Sequence, residues 1–410
     1  MQKVNTLIIG GGPAGLMAAN RLDLANHPYL LLEKKARVGT KLLLTGNSRC
    51  NVTNHLAPNA FIQTLTFKHR RFLYGAISQF NHTDIINFFK ARGVPLVLEE
   101  NFKYFPKSGK SNDILNALLQ DIQPQKILTN QTVQTITKEN DHYLVRTQNQ
   151  TFIATHVIIA TGSHSFPHTG SEGDGMRFAN QLHIPFIPFT PAETVVYSLE
   201  AVTLFKDVQG TVLKNVRVKV PGVKNPLKGD VLLTHFGLSG PLIMHASEFI
   251  YEALNQNQPT IHLALLDMNQ EDLINLLLKA KQENQTLKAF LLPYFTKRFT
   301  QTLLTIIDRE NPSLASISDK QIRRYAQMLL AFPITIDKVQ NKEKAYVNKG
   351  GFSTKAINPS TMAVKTHPNL YVCGETLDVH GPIGGYNITI ALSTAYLASQ
   401  AIIKNSHSEE

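Results

Sequence analysis

The chain has 410 residues, 43% of them hydrophobic and 17% charged, with two cysteines and a formal net charge of +11. At about 150 residues per domain this length suits two or three domains with a sizeable core, and two cysteines exclude both a disulfide framework and a closed zinc site. A glycine-rich turn begins at Gly10, before a signal-peptide stretch can develop, and no later run reaches the ~18 apolar residues of a membrane span, so a cytoplasmic protein with no membrane partner is expected.

Residues 4–9 form a short apolar, β-rich run, residues 14–25 carry Leu16, Ala19 and Leu22 at helical spacing, and residues 29–33 form a second apolar strand. This is a βαβ unit. Helices follow at 82–92, closed by Gly93 and Pro95, and at 112–122, and strands at 131–136, 142–147 and 151–159. The glycine-rich residues 170–175 do not open a helix directly after a strand, so they read as a loop leading into a helix near 175–182. Prolines at 185, 188 and 191 break the pattern, which places a domain boundary near 190.

Residues 194–234 are β-like, with glycine and proline turn markers, and residues 244–332 read as amphipathic helix with N-caps at Asn269 and at Ser318, the latter in a capping box with Gln321. Strands resume after Pro333, residues 369–373 form another buried strand, and a last helix spans 385–403. The pattern predicts an α/β fold. A doubly wound, Rossmann-like domain (1–190 and 346–410) is interrupted by a β-rich insert (191–243 and 333–345) that carries a helical subdomain (244–332).

Gly10, Gly12 and Gly15 form a G-x-G-x-x-G between the first strand and the first helix. The first glycine permits the tight turn, the second lets backbone approach a pyrophosphate, and the third lets the helix pack closely. The helix N-terminus adds free N–H donors and a positive dipole. Glu33 lies 18 residues beyond Gly15, where a carboxylate accepts hydrogen bonds from a ribose diol and repels a 2′-phosphate. The motif therefore predicts a dinucleotide other than NADP.

Four further segments favour FAD over NAD. Residues 45–54 are polar and turn-rich around Arg49, suited to wrap an anionic cofactor and its ring system. Thr161 and Gly162, and likewise Gly374 and Glu375, follow buried strands at the edge where α/β sheets bind ligands. Residues 381–388 open the last helix with flexible backbone and free amides, a second terminus able to stabilise an anion.

Taken with residues 234–241, 349–352 and 359–362, the segments 10–15, 45–54 and 373–387 resemble the YhiN/BaiN-like flavoprotein family, also called the aminoacetone oxidase family of FAD-binding enzymes, over nearly the whole chain and in the same order. The resemblance implies a non-covalent FAD domain split in sequence and a β-barrel-like insert. It implies that Gly10, Gly12, Pro13, Ala14 and Gly15 hold the pyrophosphate, Glu33 the adenosine ribose, and Val133 the adenine through its backbone. It further implies that Glu375 contacts the ribityl chain, and that Gly385, Tyr386, Asn387 and Ile388 face the flavin ring, with Gly384 beside them in the candidate cofactor set. Lys34, Lys41, Gly46, Arg49, Asn51, Thr161, Gly162 and Gly374 complete the candidate cofactor set. The chain departs from the family's pattern at Asn47, Ser48 and Thr394.

Cys50 reads either as a redox thiol or as a packed core residue, and Cys373 as packing. The resemblance places His235 and Ser239 on the substrate side of the flavin. His235 and Tyr386 are the catalytic candidates, by proton transfer and by ring contact, beside the plainer readings of a satisfied histidine and a cofactor-packing tyrosine. The 15 histidines show no metal-ligand spacing, so no metal is expected.

The function expected is an FAD-dependent oxidoreductase that passes hydride between a small molecule and FAD. Two forms stay open, a small-amine oxidase and an NAD(P)H-linked reductase of enone-type substrates. No second βαβ unit is present to hold a nicotinamide, so NAD(P)H would bind only transiently. Residues 1–190 carry 19 basic against 11 acidic side chains. That excess reads either as a site for an anionic cofactor or substrate or as a solubilising surface. Together with Lys68, Arg70, Arg71, Lys103, Lys107 and Lys110 it motivates a nucleic-acid-associated flavoprotein as the alternative. A redox module holding FAD for a protein partner is the third.

Overall fold

The first strand, Gln2–Ile9, enters the core as it runs, its last four residues buried. In the computed structural model, which describes residues 1–99, 102–307, 311 and 313–406, it lies inside a parallel sheet between Tyr29–Leu32 and Thr151–Ile159. Ile127–Leu128 extends the sheet in parallel on one side. On the other, Thr151–Ile159 divides its length between two neighbours: its first half pairs antiparallel with His142–Thr147, and its last three residues pair in parallel with Leu370–Val372. Val133–Glu139 closes that edge.

Ile9, Leu32, Ile159 and Val372 thus end four parallel strands at one edge of the sheet. The helices Pro13–Leu24 and Tyr386–Ser406 pack against each other. They begin beside that edge because each follows a glycine-rich turn.

The chain divides into two compact units, Met1–Thr190 with Tyr346–Glu410, and Pro191–Ala345. In the first, helix His82–Ala91 starts in a capping box between Asn81 and Asp84 and is followed by Gly93 in the left-handed region. The helix expected at 112–122 is Ser111–Leu119, and the strand expected at 131–136 is Val133–Glu139. A small antiparallel sheet joins Thr53–Asn54, Lys103–Pro106 and Leu96–Glu99.

The second unit is built on a seven-stranded antiparallel sheet, ordered Phe332–Thr335, Thr260–Ala264, Val212–Lys219, Leu227–Leu233, Gly237–Ser239, Val196–Tyr197 and Lys338–Val339. Two segments differ from expectation. Residues 199–204, within the stretch read as β, form a helix because the Ser198 hydroxyl accepts from the Ala201 amide. Residues 260–264, within the stretch read as helix, form a strand that alternates Ile261 and Leu263 inward and is paired on both sides. Asn269 and Ser318 cap their helices. Residues 308–310 and 312 of the expected helical stretch, and 407–410 at the end of the chain, lie outside the described residues.

Candidate cofactor cleft

The glycine turn after the first strand shows why each position lacks a side chain. Gly10 has φ +108°, and a Cβ there would stand 2.5 Å from the Ala160 carbonyl oxygen. A Cβ on Gly15 would fall 1.9 Å from the Gly10 carbonyl oxygen, inside the packing of helix on strand. At Gly12 nothing lies within 4 Å of that position, so this glycine faces open space. Gly12 is also the N-cap of helix Pro13–Leu24, and no side chain caps that helix.

Glu33 closes the turn from the second strand. One carboxylate oxygen accepts from the Gly11 amide and the other from the Lys35 amide, both at 2.8 Å. Burial pushes its pKa above the ordinary carboxylate value, against the pull of these bonds and of Lys34. Each oxygen keeps a lone pair for a further donor.

A cleft runs along the sheet edge. Its wall holds Gly10, Gly12, Pro13, Ala14, Glu33, Lys34, Lys41, Val133, Thr161, Gly162, Gly374, Glu375, Asn387 and Ile388. Lys34 is paired there with Asp174 at 2.5 Å and Glu172 at 3.0 Å. Lys41 binds Glu375 at 2.6 Å and lies within hydrogen-bond reach of Ser165 and Ser171, while Glu375 also accepts from the Ser163 hydroxyl. The Val133 carbonyl accepts from Arg177 at 2.8 Å.

Gly15, Gly46, Arg49, Asn51, Gly384, Gly385 and Tyr386 do not line this cleft. Arg49, expected to wrap the cofactor, instead pairs with Glu99 and covers the Phe105 ring at 4.4 Å. Tyr386 packs on Phe61, ring centroids 4.9 Å apart. Gly385 abuts Asn51: a Cβ on it would lie 2.4 Å from Asn51 Oδ1.

Sequence reasoning missed Gly170, Ser171 and Asp174, which the glycine-rich loop brings into the wall, and Gln131, Thr132 and Phe178 beside them. The signal was the glycine cluster itself, which here forms part of the cleft wall.

His235 is exposed in the second unit, edge-on to Phe236 at 5.0 Å, and Ser239 is buried in its strand. Cys50 and Cys373 are fully buried, and burial pushes both thiols up to about 12. No group of three metal-ligating side chains occurs among the described residues.

Two features fit an adenine dinucleotide: an uncapped helix N-terminus behind a bare glycine for the pyrophosphate, and a carboxylate at the second strand for the ribose. Buried polar atoms without partners add to the fit. Thr161 Oγ1, in the cleft wall, has none, nor have both amide atoms of Asn51, and such atoms mark a place where a ligand completes the hydrogen bonding.

The sequence matches the profile described as HI0933-like protein Rossmann domain over residues 4–401. It is 28% identical over 423 aligned residues to the 3-dehydro-bile acid delta(4,6)-reductase of Clostridium scindens, covering 96% of this chain and 98% of that protein. It is 26% identical to the ribosomal RNA dihydrouridine synthase of Escherichia coli, covering 98% and 99%. The 3-ketosteroid-delta4-(5alpha)-dehydrogenase of Rhodococcus jostii shares the fold with a TM-score of 0.54 at 11% identity, over 98% of this chain and 97% of the other. No helix among the described residues is long and apolar enough to cross a membrane.

Proposed function

The chain belongs to the HI0933-like Rossmann-domain family, and we propose that this FAD-dependent oxidoreductase reduces a carbon–carbon double bond conjugated to a carbonyl group, with NADH or NADPH as the source of electrons. The cleft carries the redox half of this reading. The relatives support the substrate half: one name describes delta(4,6)-reduction of a 3-dehydro bile acid and the other the formation of dihydrouridine. Each is hydrogen added across a ring double bond conjugated to a carbonyl. Neither name describes amine oxidation.

In this reading Gly10, Gly12 and the amides opening helix Pro13–Leu24 hold the pyrophosphate, Glu33 the adenosine ribose and Val133 the adenine. Lys41 orients Glu375 toward the ribityl chain, and Gly384 to Ile388 take the flavin ring, with Asn51 completing its hydrogen bonds to it. Bound FAD supplies a carrier of two electrons that accepts and returns a hydride. The second unit is antiparallel and offers no second βαβ fold among its described residues, so the nicotinamide binds transiently.

A specific observation favours RNA as the carrier of the reducible ring: Lys68, Arg70, Arg71, Lys107 and Lys110 are all exposed in the basic first unit, and a relative is named for ribosomal RNA. Affinity for RNA that falls steeply with added salt supports it, and no binding at low salt removes it.

Anaerobic titration tests the main reading. NADH or NADPH should bleach the flavin absorbance stoichiometrically, and 2-cyclohexen-1-one should restore it. Flavin that neither nicotinamide bleaches but aminoacetone does would replace the reductase with an amine oxidase.

A further inference from the structure

The three-stranded sheet of the first unit sets a cation, Lys103, beside the turn that opens the last helix. Lys103 begins the strand Lys103–Pro106, which pairs with Thr53–Asn54. Its side chain extends to Gly384: a Cβ on that glycine would stand 3.3 Å from Lys103 Cε and 3.9 Å from Tyr386 Cε2. From the neighbouring strand, the Asn54 side-chain amide donates to the Gly384 carbonyl oxygen at 3.5 Å. Lys103 is half-buried and has no acidic partner among the described residues, unlike Lys34 and Lys41, which are paired inside the cleft. A lysine stem can lie along the protein surface while its ammonium stays available to an anion or a developing negative charge.

The neighbouring residue adds a flat surface. Phe102 is 60% exposed and has φ +62°, a conformation that a bulky residue adopts only where its surroundings impose it. Its ring lies on His55, centroids 4.2 Å apart and 21° from parallel. His55 Nδ1 is buried without a partner.

We propose that Lys103 binds the carbonyl oxygen of the substrate, with the stacked Phe102 and His55 rings supporting the substrate's planar ring beside it. The inference rests on the reductase reading above. Hydride from the NAD(P)H-reduced cofactor forms the new C–H bond at the β-carbon. The π electrons of the double bond shift toward the α-carbon and onto the carbonyl oxygen, where the Lys103 ammonium meets the charge. A proton from water then adds at the α-carbon and the carbonyl re-forms. Lys103 is thus an oxyanion-stabilising residue, a role whose loss costs about 10²–10³-fold in rate.

The test uses holoenzyme and Lys103→Gln, Lys103→Arg and Phe102→Ala variants. Titration of the oxidised proteins with 4-hydroxybenzaldehyde, a phenol whose anion mimics the enolate, reads binding by the flavin spectrum without turnover. Wild type should bind the phenolate and lower the phenol's apparent pKa, Lys103→Gln should lose both effects, Lys103→Arg should recover them in part, and Phe102→Ala should weaken affinity without moving that pKa. Reoxidation of the NADPH-reduced flavin by 2-cyclohexen-1-one should slow about 100-fold in Lys103→Gln, with FAD content and reduction by NADPH as in wild type. A Lys103→Gln protein that binds the phenolate and reoxidises like wild type overturns the proposal alone. A wild-type flavin that NADPH reduces but the enone never reoxidises overturns the reductase reading, and this assignment with it.

Discussion

Glu33 and the two cysteines show how far burial alone settles a residue's chemistry. Glu33 spends one lone pair of each oxygen on a backbone amide, Gly11 or Lys35, and presents the remainder to the cleft. A cation there would leave both amides without acceptors and place positive charge where the ribose hydroxyls need one. Glu33→Arg should therefore purify with a small fraction of the wild-type FAD, read from the flavin-to-protein absorbance ratio; full occupancy would remove Glu33 from the ribose site. The thiols behave oppositely. With Cys50 and Cys373 pushed up to about 12, only about one thiol in ten thousand is ionised at pH 8. Iodoacetamide should leave the native protein unlabelled at that pH and modify both cysteines after denaturation, and fast labelling of Cys50 in the native protein would restore it as a redox thiol. The same shift has a stability sign. Unfolded thiols ionise near pH 8.5 while the native ones stay neutral, so these two sites lose stability as pH rises from there toward about 12.

Elements that state their own boundaries were legible in the sequence. The first βαβ unit could be read because a fully buried strand, a glycine turn and an amphipathic helix each carry a local signal, and Asn269 and Ser318 because capping is a local hydrogen bond. Strand Thr260–Ala264 was not legible: five residues between helices are too few for a period, and what makes them a strand is pairing with Val212–Lys219 and Phe332–Thr335. The pairing of Arg49 was not legible for a similar reason, since Glu99 is fifty residues away and comes to it only through the small sheet. The glycine turn separates what a local motif does for the fold from what it does for a ligand. Gly15→Ala forces a Cβ into the Gly10 carbonyl oxygen, and should cost about 3 kcal/mol or more. Gly12→Ala meets nothing in the protein and keeps an ordinary helix-cap backbone, φ −79°. Its apoprotein should melt at or slightly above the wild-type temperature, a gain of about 0.4–1 kcal/mol, yet it should retain FAD poorly because the new methyl occupies the pyrophosphate's approach. Calorimetry of both apoproteins beside their FAD content checks the pair. A Gly12→Ala protein with normal FAD content would show that the cofactor does not come close to that backbone.

At the scale of the whole chain, every residue lining the cleft belongs to residues 1–190 or 346–410, although more than 150 residues separate the two parts of that unit in sequence. The sequence carried the division as a change of pattern, buried strands at both ends and different text between. The physical basis is the closing of each unit on its own strands. Phe186–Glu193 pairs with Val347–Phe352 where the chain leaves and re-enters the first unit, and Gly350, at φ +111°, packs its Cα against the Pro188 carbonyl. Within the second unit, Val196–Tyr197 pairs with Lys338–Val339, and a separate apolar core built on Val216, Val231, Leu263 and Phe332 lies beneath its sheet. Each unit thus holds its own apolar interior and joins its own ends. Joining residue 190 to residue 346 through a short glycine-serine linker should therefore give a folded protein that still binds FAD, because the paired strands already bring the junction together and the cleft wall is intact. Flavin fluorescence quenching on titration with FAD, with far-ultraviolet circular dichroism as the check on folding, decides the point. A folded protein that has lost FAD binding would mean that the second unit helps to build the cofactor site.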